Sequence, residues 1–246
     1  MSYGVDLAYI HDTGYGDFAR ESGPGILALL RKAGLHQGCV VDLGCGSGIW
    51  ARQLADAGYD VLGIDLSPAM IDMARQRVAS AEFRVGSFVD AVLPRCVAVT
   101  ALGEVLSYVL DESNTDRALL RLCRRVHDAL VPGGLFVFDV VVPGRVPGGG
   151  PRQAFRSGED WTVLVESSED AKRRLLTRRI MSFRKVGEHY RRDEEVHRQR
   201  LHDRASLTRH LRALGFRVRP LASYGKRRFP RGVVGFLTRK HSARAT

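Results

Sequence analysis

The run Val40-Val-Asp-Leu-Gly-Cys-Gly-Ser-Gly48 constrains this chain more than any other stretch of it. The apolar residues from Cys39 to Leu43 read as a buried strand, and Gly44, Gly46 and Gly48 then force a tight turn into a following helix. Glycine is required where backbone amides must come close to a ligand around such a turn. Glycine turns of this kind serve many nucleotide-binding sheets, and Asp42 narrows the choice. Its carboxylate would repel a pyrophosphate and attract an ammonium group, so the turn is expected to receive a ligand with a cationic head. The G-x-G-x-G spacing also differs from the G-x-G-x-x-G of nicotinamide-dependent dehydrogenases.

The rest of the first 151 residues alternates strand and helix patterns. Gly23-Pro24 is expected to open a helix bearing Ile26, Leu27, Leu30 and Ala33, closed by Gly34. After the glycine turn come a helix to about Ala57 and a strand, Tyr59–Ile64. A helix capped by Ser67 with Pro68 at its first position follows. Glu82–Val85, Cys96–Leu102 and Leu135–Val141 read as further strands, the last after a Pro132-Gly133-Gly134 turn. Leu119, Leu122, Cys123, Val126 and Leu130 mark one face of a helix before that turn. Strands alternating with helices imply parallel pairing through right-handed crossovers, and strands apolar throughout imply a sheet covered on both faces. The expected architecture is doubly wound α/β.

The stretch Val142–Pro151, rich in proline and glycine, divides the chain. Beyond it, Trp161–Val165, Leu175–Phe183 and His189–Leu201 read as longer, more polar antiparallel strands. We expect residues 152–202 to form an inserted antiparallel sheet. Residues 203–246 would return to the main sheet through a helix, Ser206–Leu214, and two last strands.

The formal net charge of +11 is unevenly spread. Residues 1–171 carry 15 Lys/Arg against 22 Asp/Glu, and residues 172–246 carry 23 against 5. A cationic end of this kind reads first as a solvated arginine-rich surface, with attraction of an anionic substrate, nucleic acid or anionic partner as the alternative. Cys39, Cys45, Cys96 and Cys123 have neither CxxC spacing nor a histidine at zinc-ligand distance. No metal site is expected, and the cysteines read as buried thiols suited to the cytoplasm. No apolar stretch has the length of a membrane span, and the first residues lack the pattern of a secretory signal.

Asp65 ends the second strand, where a carboxylate can accept both hydroxyls of a ribose or cap the Ser67-Pro68 helix. With it, the order VVDLGCGSG, GIDLS and LVPGGLFVFDV resembles the class I S-adenosylmethionine (SAM)-dependent methyltransferases over roughly residues 38–141. The resemblance implies a seven-stranded, mostly parallel Rossmann-like sheet whose last strand is antiparallel. SAM would be the cofactor. By position, Gly44, Cys45 and Gly46 would face its methionine moiety, with Asp42 near the amine. Asp65 would hold the ribose, with Leu66 and Met70 against adenine. Ser87 stands where the family usually presents an aspartate to the adenine amino group, and a neutral acceptor there is weaker. Phe88 would add contacts around the base. Leu102 lies in the segment after the fourth strand that touches cofactor and substrate. Similar small-molecule N-methyltransferases lay a tyrosine-bearing N-terminal segment over the cofactor, and Tyr9 is the best match.

Three residues are candidates to handle a proton: His11 in that N-terminal segment, Glu104 in the otherwise apolar run Ala101–Tyr108, and His197. Strand alternation would put Glu195, His197 and Gln199 on one face and Val196, Arg198 and Arg200 on the other. Asp139 is a further pocket candidate. The segment after strand four is not the Asn/Asp-Pro-Pro-aromatic motif of enzymes that methylate nucleic-acid amino groups. The leading expectation is therefore methyl transfer to a small-molecule acceptor at nitrogen or oxygen, by a monomer or homodimer. RNA or protein methylation through the basic last third, and SAM binding without turnover, are the alternatives.

Overall fold

The computed structural model describes residues 3–109 and 114–241. Two helices, α1 (Val5–Tyr15) and α2 (Asp17–Lys32), precede the first strand. The alternating half then runs β1 (Gly38–Leu43), α3 (Ile49–Asp56), β2 (Tyr59–Asp65), α4 (Pro68–Arg77), β3 (Glu82–Val85), β4 (Cys96–Ala101), α5 (Asp116–Ala129) and β5 (Leu130–Val141). Four antiparallel strands follow: β6 (Arg152–Ser157), β7 (Trp161–Asp170), β8 (Leu175–Val186) and β9 (His189–Arg200). The chain ends through α6 (Arg204–Ala213), β10 (Phe216–Leu221), the short hairpin β11 (Ser223–Tyr224) and β12 (Arg227–Arg228), and β13 (Val233–Lys240).

The main sheet has seven strands in the order β10-β13-β5-β4-β1-β2-β3, and β13 runs antiparallel to both neighbours. The strands from β3 across to β5 are parallel. Strand order reverses between β1 and β4, so the loops leaving their C-terminal ends diverge and open a crevice there. Helices cover both faces. Phe136, Phe138 and Phe236 stack with Leu122, Val126 and Leu211 on one side, while Ile26, Leu30, Trp50, Leu54 and Ile71 fill the other. Strands β6–β9 form a separate sheet with β6 and β9 at its edges.

Two local expectations need correction. Pro24 lies inside α2, which starts seven residues earlier at Asp17. A proline removes one helical hydrogen bond, but tertiary packing keeps the helix intact: Gly25 lies against the backbone of Tyr224 and Gly225, where a Cβ would collide. The Pro132-Gly133-Gly134 turn lies within β5 as an irregularity. Cys96 pairs with Leu130 and Ala98 with Leu135, so the extra residues loop out of register, with Gly133 at φ 79°. Among the described residues, no helix is long and apolar enough to cross a membrane, and no cluster of His, Cys, Asp and Glu could hold a metal ion.

Candidate active site

A cavity of about 860 Å³ opens at the C-terminal ends of β1, β2, β4 and β5, roofed by α1 and walled on one side by β7–β9. Its floor at the cofactor end starts with Asp42. Asp42 pairs with Thr100 in the sheet register, and the Thr100 hydroxyl donates to Asp42 Oδ1 at 2.7 Å. Trp50 Nε1 donates in turn to Thr100 Oγ1 at 3.1 Å. Burial pushes the Asp42 carboxyl up to about 7, against the pull of the Thr100 hydrogen bond.

The glycine turn works differently from the sequence expectation. The amides of Gly44 and Cys45 both donate to the Ile64 carbonyl, at 2.7 and 3.1 Å, and the amide of Gly46 donates to Asp65 Oδ2 at 2.9 Å. They are spent on holding the turn to β2, leaving the bare glycine surface as what a ligand would meet. Gly44, at φ 66°, has no room for a side chain because a Cβ would lie 2.5 Å from Val105. Gly46, at φ 53°, faces open space, the nearest atom to its Cβ being Met70 Sδ at 3.9 Å.

Asp65 accepts a second amide, that of Ser67, at 2.9 Å on Oδ1. It thus ties the glycine turn to the start of α4 while lining the cavity. Burial raises its carboxyl, and the amide bonds from Ser67, Gly46 and Leu66 oppose that rise. Leu66, Met70, Ser87, Phe88 and Leu102 line the same end of the cavity. The Ser87 hydroxyl already accepts the Val89 amide at 3.1 Å. A buried carboxylate, a second carboxylate one strand away and the mostly apolar side chains beyond it suit the amine, ribose and adenine of SAM.

The helix α1 supplies the roof. Tyr3, Leu7, His11 and Tyr15 recur every four residues, on or just before α1, and all face the cavity. Tyr9, on the opposite side of the helix, lies outside the cavity wall, with the Arg184 guanidinium 3.7 Å from its ring centre. The four-residue recurrence was the signal that picks out Tyr3 and Tyr15. Asp12 joins α1 to the cofactor turn, accepting from Ser47 Oγ at 2.5 Å and from Arg77 Nη2 at 3.0 Å. Burial lowers the His11 imidazole to about 4, which makes it neutral near pH 7.

Glu195, His197 and Gln199 share one face of β9, as alternation requires, and that face meets the cavity and α1. Glu195 accepts the amides of Tyr3 and Gly4 at 2.8 and 2.9 Å, and its Oε2 lies 2.7 Å from His197 Nε2. His197 is 2% exposed. The Tyr3 ring centre lies 4.9 Å from its own, and its Nδ1 has no partner among the described residues.

Glu104 is held in the left-handed region, at φ 66°. Asp139, at the end of β5, fixes it there by accepting the amides of Gly103 at 3.0 Å and Glu104 at 2.6 Å, together with the Tyr224 hydroxyl at 3.1 Å. Burial raises the Asp139 carboxyl to about 7, more than these bonds lower it. Glu104 Oε2 accepts both Arg178 Nη1 and Nη2 at 3.0 Å and Gln199 Nε2 at 2.9 Å. Burial would raise its carboxyl, but Arg178 and Arg145, with the Gln199 bond, outweigh burial and hold it below the usual range. Arg178 and Arg145 went unnoticed in the sequence, because nothing local marks two arginines among so many.

An expected pH dependence follows from Asp42. A cationic amine seated beside Asp42 would pair with the ionised carboxylate, and that form is depleted as pH falls through about 7. Affinity for S-adenosylhomocysteine (SAH), the demethylated form of SAM, should therefore weaken between pH 7 and pH 5, approaching tenfold per pH unit at the lower end. In Asp42→Asn the binding is weaker and this dependence flattens. Calorimetric titration across the range reads both.

Comparisons with known proteins bear on the fold around this cavity. Residues 40–134 match the family model described as "Methyltransferase domain". Over 100 residues the chain is 35% identical to magnesium-protoporphyrin O-methyltransferase of Rhodobacter capsulatus, covering 38% of this chain and 44% of that one. It is 30% identical over 142 residues to dTDP-3-amino-3,6-dideoxy-alpha-D-glucopyranose N,N-dimethyltransferase of Streptomyces fradiae, covering 56% and 54%. The chain thus spans about half the length of these relatives. Among solved structures, an S-adenosylmethionine-dependent methyltransferase from Clostridium acetobutylicum superposes with a TM-score of 0.81 at 17% identity, covering 96% of this chain and 98% of that one. Residues 40–134 thus match a methyltransferase domain, and the seven-stranded sheet that carries them has the Rossmann-like fold seen in that methyltransferase structure.

Proposed function

We propose that this protein transfers a methyl group from SAM to the nitrogen of a small-molecule amine. One observation carries the reading: a single cavity holds the acidic and apolar cofactor end together with an acceptor end lined by the aromatic side chains of Tyr3, His11, Tyr15, Tyr108 and His197. When bound, SAM supplies a methyl group already activated on a sulfonium centre. Asp42 would hold its amine and Asp65 its ribose hydroxyls, while Leu66, Met70, Ser87 and Phe88 enclose adenine.

The remaining work of the protein is alignment and exclusion of water. Holding donor and acceptor in near-attack geometry contributes about 7–11 kcal/mol. A hydroxyl acceptor would need a base in contact with it. Glu104 is committed to Arg178 and Gln199. His11 at about 4 is a weak base, and His197 Nδ1 lies enclosed near Tyr3. A neutral amine brings its own lone pair and needs only a later route for its proton. The ammonium it becomes would meet tyrosine ring faces, an interaction of about 0.5–2 kcal/mol. The relatives include both O- and N-methyltransferases, so the choice of nitrogen rests on the side chains at the acceptor end.

A panel of amino sugars and simple alkylamines, each paired with its hydroxyl counterpart, tests this with radiolabelled SAM. Label should enter the amines and not the hydroxyl compounds. Transfer confined to hydroxyls, or to RNA or protein, would overturn it.

A further inference from the structure

We propose that Arg145 recognises an oxyanion, a carboxylate or phosphate, carried by the methyl acceptor; this rests on the small-molecule reading above. The segment presenting Arg145 is fixed on both sides. Glu169, on β7, accepts the amides of Gly144 at 2.7 Å and Val146 at 2.9 Å. The Val142 amide donates to the Gly232 carbonyl at 2.8 Å. Gly232 itself, at φ 74°, packs so closely that a Cβ would collide with the Arg145 backbone.

That clamped backbone sends the Arg145 side chain to the cavity wall beside Glu104 and Arg178. Arg145 Nε is buried and has no hydrogen-bond partner among the described residues. The nearest carboxylate oxygen, Glu104 Oε1, is 3.7 Å away. Glu104 already neutralises Arg178, so one carboxylate lies between two guanidinium groups. Among the other arginines on the wall, Arg178 and Arg227 make direct ion pairs with carboxylates, although Arg227 Nε, like Arg145 Nε, has no partner among the described residues. Arg227 donates to Glu21 at 2.9 Å, and Arg156 lies 5.0 Å from the Tyr15 ring centre and 3.9 Å from Asp17. A guanidinium carries five donors in a planar fork that matches a carboxylate or phosphate edge. The Arg145 side chain is 29% exposed, and its terminal amino groups donate to no group among the described residues, so an oxyanion on the acceptor would pair them while balancing the extra charge.

Calorimetry with inorganic phosphate and, separately, acetate tests the assignment, on the protein with and without SAH. The better-bound probe tells which oxyanion the site prefers. Arg145→Gln should weaken the anion about tenfold or more, and Arg145→Lys should weaken it less, keeping the charge but losing the fork. Arg173→Gln, at a side chain 82% exposed, should leave anion binding as it was. SAH affinity should be the same in every variant, which separates this proposal from the cofactor reading. Equal anion binding by wild type and Arg145→Gln, or no anion binding by wild type in either state, overturns the role of Arg145.

Discussion

Replacing Asp65 with alanine is expected to weaken SAH binding by at least two orders of magnitude. The carboxylate has two tasks in the structure. It accepts the Gly46 and Ser67 amides, fixing the glycine turn against the start of α4, and it faces the cavity where a ribose would lie. A hydrogen bond to a charged group contributes about 1.5–3 kcal/mol, so loss of two ribose hydroxyl contacts alone amounts to about a hundredfold or more. Freed turn amides add to the loss. Asp65→Asn keeps one acceptor and should fall between wild type and alanine. Calorimetry with SAH measures the affinities, and thermal unfolding of the unliganded variants shows whether the turn itself has loosened. A change below about threefold in Asp65→Ala, less than half of one such bond, would remove the ribose contact from the site.

The strand and helix limits around this residue were legible because several local signals agree there. Ser67 caps α4 and Pro68 starts it, and the β2 run ends at the carboxylate itself. Where local signals conflict, tertiary contacts decide. Pro24 reads as a helix start, yet α2 runs through it because Gly25 packs on the β11 turn, some 200 residues away in the chain. The number of strands and the antiparallel last one came from the resemblance, while their order was not legible, since alternation fixes the hand of a crossover but not which strands become neighbours.

The site was legible to a similar depth. Residues that act from strand ends, such as Asp42, Asp65 and Asp139, announce themselves as acids after apolar runs. The face of β9 carrying Glu195, His197 and Gln199 followed from period-two alternation. Tyr9 was chosen over Tyr3 and Tyr15 because the N-terminal segment was read without its helical period. Amide use in the glycine turn was beyond reach for a different reason. A positive-φ glycine says that the backbone comes close, not which oxygen its amide finds, and here the Ile64 carbonyl and Asp65 take all three. Arg178 pairs with Glu104 across 74 positions, a separation that no periodicity records.

That pair supports the second large effect. Glu104→Ala is expected to lower the free energy of unfolding by about 3–5 kcal/mol, the usual consequence of leaving one partner of a buried ion pair alone. Glu104 and Arg178 are 13% and 16% exposed, so solvent screens them little. Without the carboxylate, Arg178 and Arg145 confront each other across a partly dry wall. Backbone strain adds a second handle. Glu104 stands at φ 66°, a conformation that costs a non-glycine residue about 1–2 kcal/mol. Glu104→Gly should therefore be more stable than Glu104→Ala by about that amount, although both lack the carboxylate. Arg178→Ala should also destabilise on its own, and the double variant Glu104→Ala/Arg178→Ala should lose less than the two single losses together, because the unpaired charge has gone. Urea unfolding at neutral pH measures all four. If Glu104 instead served as a proton acceptor with little structural part, Glu104→Ala would unfold near the wild-type midpoint while methyl transfer collapsed, and the clamp between β4 and β8 would have to be abandoned.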